Sequence, residues 1–241
     1  MTALINLVYL ISVSLFIVGL QRLSSPKTAS SGNLIAALGM GLGVLIALFA
    51  PMESGDDNYI IIIGALVFGG GIGLVVAGKV LMTKMPEMVS LFNGLGGACA
   101  LLISVAELLN FHDSGTFELA PYLTTLLALL IGSIAFTGSL VAYGKLSGNI
   151  KDSWKLPRAN MINMVLLLTL IAASVYQLQV LDTMDLVYII MILSLIYGIT
   201  FVLNVGGADM PVIISILNAL TGVSAALAGI IYDNMIMLMG G

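Results

Sequence analysis

With 241 residues, 60% of them apolar and only 8% charged, the chain lacks the charge needed to cover a water-soluble domain of its size. A net charge of −4 with eight basic residues gives no basic surface for nucleic acid, and a single cysteine, Cys99, excludes a disulfide framework or a cysteine metal cluster. Apolar runs of about 18–25 residues between short polar connectors describe an all-α, polytopic transmembrane helix bundle, whereas a membrane β-barrel would show segments of about ten alternating residues.

Eight spans follow in chain order, at 4–20, 33–50, 59–78, 86–109, 119–143, 160–180, 185–204 and 211–231. The first is not a cleavable signal, because it lacks a basic n-region and its positive charges follow it. In the third, GGGIG at 69–73 reads as helix packing, with Gly69, Gly73 and Ala77 on one contact face. The fourth opens on MPEMVSLFNGLGG and holds Glu107, an acid inside the span near its far end. His112, the only histidine, follows in a polar connector. The eighth opens on MPVIISILNALTG, directly after Asp209, an acid before a proline and so a natural N-cap. After Asp233-Asn234 comes MIMLMGG, apolar but too short to cross, which reads as the start of a ninth span in which the sequence stops. Residues 1–241 thus form one membrane domain with no water-soluble domain, and no Ser/His/Asp set, P-loop or dinucleotide fingerprint occurs.

Charge gives the topology. Arg22 and Lys27 follow span one, Lys79 and Lys84 follow span three, and Lys145, Lys151, Lys155 and Arg158 follow span five: all eight basic residues fall on one side. Glu53, Asp56, Asp57, Asp113, Glu118, Asp182, Asp185 and Asp233 collect on the other. The basic side is cytoplasmic, which places the N-terminus outside.

The two MP phrases are offset by 125 residues, Pro86 to Pro211, and the offset also aligns Ser90 with Ser215, Asn93 with Asn218, Gly97 with Gly222 and Ala100 with Ala225. LQRLS at 20–24 and AYGKLS at 142–147 lie at nearly the same offset, which suggests a duplicated four-helix unit in parallel orientation. On a helix, Ser90, Asn93, Gly97, Ala100, Ser104 and Glu107 form one stripe. Ser215, Asn218, Gly222, Ala225, Gly229 and Tyr232 form a second, and Thr125, Ala128, Gly132, Ala135, Ser139 and Ala142 a third. Such stripes serve as packing faces, or line a path for water or an ion. Asn93 and Asn218 sit about 10 Å inside their helix starts, where an amide needs a partner. The two are expected to face each other, or to hold a water between them. Glu107 is either an interfacial carboxylate or the mouth of a proton path.

The motifs MPEMVSLFNGLGG at 85–97, FTGSLVAYGKLSG at 136–148 and GGADMPVIISILNALTG at 206–222 resemble the membrane domain of the beta subunit of proton-translocating NAD(P) transhydrogenase, and the resemblance runs over the whole chain. It implies nine spans followed by an NADP(H)-binding domain, so that the last span and that domain are absent from this sequence. It implies hydride transfer between NAD(H) and NADP(H) on peripheral domains, coupled to proton movement through the membrane domain. No cofactor is expected on this chain itself. The implied proton path runs through Asn93, Asn218, Ser139 and Glu107, with Ser90 and Ser215 beside it, and Asp209 takes part in coupling to the NADP(H) domain. Many family members carry a histidine at the position of Asn93. Asparagine cannot titrate, so the resemblance implies a histidine from a membrane helix of the alpha subunit. The implied partners are that subunit with its NAD(H)-binding domain, a second copy in a dimer of the complex, and the bilayer of a bacterial inner membrane. Two other readings stay open on the residues alone: a secondary transporter with parallel repeats moving a small solute or cation, and a structural membrane subunit whose stripes only pack.

Overall fold

The computed structural model describes residues 2–49, 58–180 and 183–241. Within them every regular element is helical: α1 (Thr2–Leu23), α2 (Ala29–Phe49), α3 (Tyr59–Lys79), α4 (Met85–Ser114), α5 (Leu119–Leu146), α6 (Ala159–Gln177), α7 (Met184–Leu203), α8 (Met210–Ile231) and the short α9 (Met235–Gly240). Eight are long and apolar enough to cross a membrane, in the places the apolar runs indicate. Glu53, Asp56, Asp57 and Asp182, assigned from sequence to the outer side, lie outside the described residues. α4 continues through His112 and Asp113 to Ser114, where Gly115 takes a left-handed φ of 65° and donates to Phe111 O. His112 therefore belongs to the last turn of a helix and not to a connector.

The chain divides into two compact units near residue 80. In the first, α1 lies along α2: Ser12 Oγ donates to Gly39 O at 2.6 Å, and a Cβ at Gly19 would come within 2.5 Å of the Ala36 amide nitrogen. α3 buries none of its residues, and Gly69 and Gly73 look onto open space. The contact face expected there has no neighbour among the described residues.

In the second unit α5 is the central helix and packs against α4, α7 and α8. One apolar cluster joins Leu108 of α4, Tyr122 and Leu129 of α5, Leu170 of α6 and Ile190 of α7. Another joins Val141 of α5, Val202 of α7, and Ile213 and Leu217 of α8. Between helices in lipid there is no hydrophobic driving force, so close approach and polar contacts decide which faces meet. A Cβ on Gly97 would sit 2.7 Å from the Phe136 amide nitrogen and 2.9 Å from Gly132 O, which shows how near α4 comes to α5. Gly198 brings α7 equally near to Ile134 and Thr137. The outward residues, such as Leu102, Ile171 and Ile192, are large, apolar and exposed, a surface that suits lipid and not water.

The 125-residue offset reaches local structure. A 3₁₀ turn at Met82–Lys84 leads into α4, and another at Gly207–Asp209 leads into α8, each helix with a proline in its first turn. The two helices also meet at positions related by the offset: a Cβ on Gly96 would lie 3.0 Å from Thr221 Cγ2, and Tyr232 donates to Glu107. α9 turns back onto Gly229 of α8, and Gly241 just after it onto Gly222, as α5 lies on Gly97 of α4. Elsewhere the halves differ, since α1 pairs chiefly with α2 while α5 pairs with α4, α7 and α8.

Candidate functional site

The stripe on α4 faces inward. Ser90, Asn93, Gly97, Ala100 and Ser104 are buried, and so is the whole stripe from Thr125 to Ala142 on α5. Gly94 and Gly97 let the two backbones close; a Cβ on Gly94 would stand 3.2 Å from Ser139 Cβ. This approach brings three polar side chains together. Ser90 Oγ donates to Ser139 O at 2.9 Å, and Asn93 Nδ2 donates to Ser139 Oγ at 2.9 Å. Asn93 is only 7% exposed, yet its Oδ1 meets no hydrogen-bond partner. An amide oxygen left unpaired in a low-dielectric interior costs on the order of 1–3 kcal/mol. The position therefore calls for a donor, and a water or a polar group from outside the chain would supply one. None of the three side chains titrates near neutral pH, so the cluster can hold and orient a proton carrier but cannot itself take up the proton.

The stripe on α8 behaves differently. Ser215 and Asn218 are exposed, and α8 instead buries Ile213 and Leu217. The two amides thus do not face each other, contrary to the expectation from the repeat: Asn93 pairs with Ser139, and Asn218 lies on an open face. The reason is the shape of α5. It offers Gly138 to α8, where a Cβ would come within 2.8 Å of Leu217 Cδ2, so the large apolar side of α8 fills that groove.

Glu107, at the far end of α4, is half-buried and accepts a hydrogen bond from Tyr232 OH at 3.3 Å. Burial, then the charge of Glu107 and this hydrogen bond, raise the Tyr232 phenol above its ordinary value, so it remains the donor at neutral pH. Tyr232 was placed on the α8 stripe by spacing, but its contact with Glu107 needed the fold.

Asp209 ends the 3₁₀ turn before α8 and is exposed. Its side chain makes no cap hydrogen bond. Asp209→Ala should therefore shift stability in detergent by less than about 0.5 kcal/mol, whereas loss of a working N-cap costs about 1 kcal/mol. Thermal unfolding of the two proteins side by side checks this.

Three further polar residues were given no site role by sequence, one of them, Lys145, being read only as a topological charge. Gln177 Nε2 donates to Tyr122 OH at 2.7 Å and to Thr183 O at 3.2 Å, which ties the end of α6 to α5 and to the start of α7. Lys145, assigned to a connector, lies inside the last turn of α5 and is buried. Asn204 accepts from the Leu156 N–H at 2.7 Å. A glutamine closing an apolar run and a lysine inside a helical period were the available signals.

A bundle of apolar helices around a buried Ser–Asn–Ser cluster defines a polytopic membrane protein with a polar site inside its helix packing. Residues 5–241 match the family model described as NAD(P) transhydrogenase beta subunit. Two curated relatives from Rhodospirillum rubrum, both called NAD(P) transhydrogenase subunit beta, are each 34% identical over 238 residues, covering 97% of this chain and 51% of their own length. The chain belongs to the NAD(P) transhydrogenase beta-subunit family. It spans about half the length of the curated relatives it matches.

Proposed function

We propose that this chain is the membrane-embedded, proton-conducting part of an NAD(P) transhydrogenase, coupling proton movement to hydride transfer between NAD(H) and NADP(H) carried by other domains. The observation that carries the reading beyond family membership is Asn93: buried, held by Ser139, and with one amide oxygen left open. A polar atom kept unpaired among apolar helices is costly, and such atoms inside membranes serve paths for ions or protons. The family supports the transhydrogenase reading over a secondary transporter.

In this reading Glu107 lies at the outer mouth, with Tyr232 beside it. The proton then reaches a hydrated site at Ser90, Asn93 and Ser139. Asn218 and Ser215, on the open face of α8, line the same path from the side on which another helix would sit. The titratable group comes from outside this chain, because no side chain of the cluster titrates. A histidine on a membrane helix of an alpha subunit fits that need. Protonation there biases the connector around Asp209, whose exposed carboxylate is available to an NADP(H)-binding domain. The connectors carrying basic charge face the cytoplasm, the N-terminus lies outside, and the membrane is a bacterial inner membrane.

The test is Asn218→Leu in the complete complex. Proton-linked hydride transfer in membrane vesicles should fall at least about tenfold, below the roughly 100-fold minimum for a group that itself transfers the proton, because Asn218 only lines the path. Unchanged coupling between hydride transfer and proton uptake would remove Asn218 from the path.

A further inference from the structure

Lys145 has no role in the path described above, yet it is 8% exposed and sits at the joint between α5, α7 and the connector to α8. Its Nζ donates to Leu203 O at 2.5 Å and to Val205 O at 2.6 Å. These carbonyls lie at and just beyond the C-terminus of α7, where a helix leaves acceptors without intrahelical donors, and a cation there also suits the negative end of the dipole. The connector that follows α5 closes the same joint. Leu156 N–H donates to Asn204 Oδ1 at 2.7 Å, and Asn204 Nδ2 donates to Thr200 O at 2.9 Å. Asp152 lies near enough to attract the ammonium, and its carboxylate stands against Gly207, where a Cβ would be 3.1 Å from Oδ2.

Further along, α5 and α7 are fixed to one another by Thr137 Oγ1, which donates to Leu195 O at 2.8 Å, and by the close seat of Gly198 on Ile134. The same stretch of α5 carries Ser139, which receives Ser90 and Asn93 from α4. Ser139 and Lys145 are six residues apart, about 9 Å of helix. Leu203 is likewise six residues before Asp209. One rigid helix thus touches the buried cluster on one side and holds the root of the Asp209 connector on the other.

We propose that Lys145 is a positioning residue that couples the Ser90–Asn93–Ser139 cluster to the connector bearing Asp209, by fastening the end of α7 to α5. The proposal rests on the functional reading above for its meaning, but its test reads the mechanical link directly. In the complete complex freed of other cysteines (here Cys99→Ala), a thiol is placed by Ala208→Cys at an exposed position beside Asp209. The rate of its alkylation by a maleimide in membrane fragments is then measured. Ser139→Ala removes the hydroxyl that Asn93 engages. With Lys145 present this should change the alkylation rate by about threefold or more, the size expected for residues coupled in one network. With Lys145→Met the same substitution should leave the rate unchanged, and Lys145→Arg should restore the response. Where Lys145→Met does not assemble, Lys145→Gln takes its place. An equal response in the Lys145 and Lys145→Met backgrounds, or none in either, overturns the proposal. Proton-linked hydride transfer by the unsubstituted complex is recorded on the same fragments. Its absence would count against the functional reading, while the labelling result would still decide the link.

Discussion

Asn93→Leu is expected to cut proton-linked hydride transfer by at least about 100-fold while the protein still folds and accumulates, because the change removes the polar function and keeps the branched outline of the side chain. Leucine repeats the branched outline of asparagine but is bulkier, so the tight seat between Gly94, Gly97 and Ser139 must give by a few tenths of an ångström. The hydrogen bond to Ser139 is lost, and bonds of this kind between membrane helices are worth about 0.6 kcal/mol on average. The unpaired Oδ1 disappears with it, which offsets that loss or exceeds it. Stability should stay within about 2 kcal/mol of the parent, measured as thermal unfolding in detergent. A packing residue would show the reverse pattern, with activity following the amount of folded protein. Asn93→Ala divides the two further: it opens a cavity and lowers stability, yet leaves room for water, so it should retain more activity than the leucine variant.

The sequence made some of this site legible and hid the rest for identifiable reasons. Periodicity shows which residues share a helix face, and the stripe from Ser90 to Ser104 is indeed buried as one face. Repeat spacing also located the starts of α4 and α8, because the turn, the proline and the dipole act locally. Periodicity does not show which neighbour a face meets. The α8 stripe has the same spacing as that of α4, but α5 presents Gly138 to α8, and Leu217 fills the space that an amide was expected to occupy. Likewise Ser139 is the partner of Asn93 only because Gly94, Gly97 and Gly132 let two backbones approach. That depends on two helices at once, and a single-helix pattern cannot carry it. Lys145 was read as a topological charge, since a lysine at the end of an apolar run is usually solvated. Its actual partners, Leu203 O and Val205 O, are backbone atoms 58 and 60 residues away and leave no trace in composition.

Gly97→Val should damage the fold severely. Its Cβ would enter at 2.7 Å from the Phe136 nitrogen and 2.9 Å from Gly132 O, both backbone atoms of a helix, which cannot swing aside as a side chain does. Relief requires moving α4 away from α5 along several turns. The same movement separates Asn93 and Ser90 from Ser139, one and two turns away, so hydrogen bonds are lost together with van der Waals contact. The expected cost is at least about 3 kcal/mol, the upper range for overpacking. For a chain of this size that lowers the unfolding midpoint by roughly 6–12 °C, or prevents accumulation altogether. Gly71→Val is the control. It makes the same chemical change in an apolar helix, but its Cβ meets nothing within 4 Å. It should shift the midpoint by less than about 2 °C, corresponding to under about 1 kcal/mol. If the two variants unfolded alike, the close seat of α4 on α5 could not be what holds the polar cluster in place, and the geometry assigned to Asn93 would fail with it.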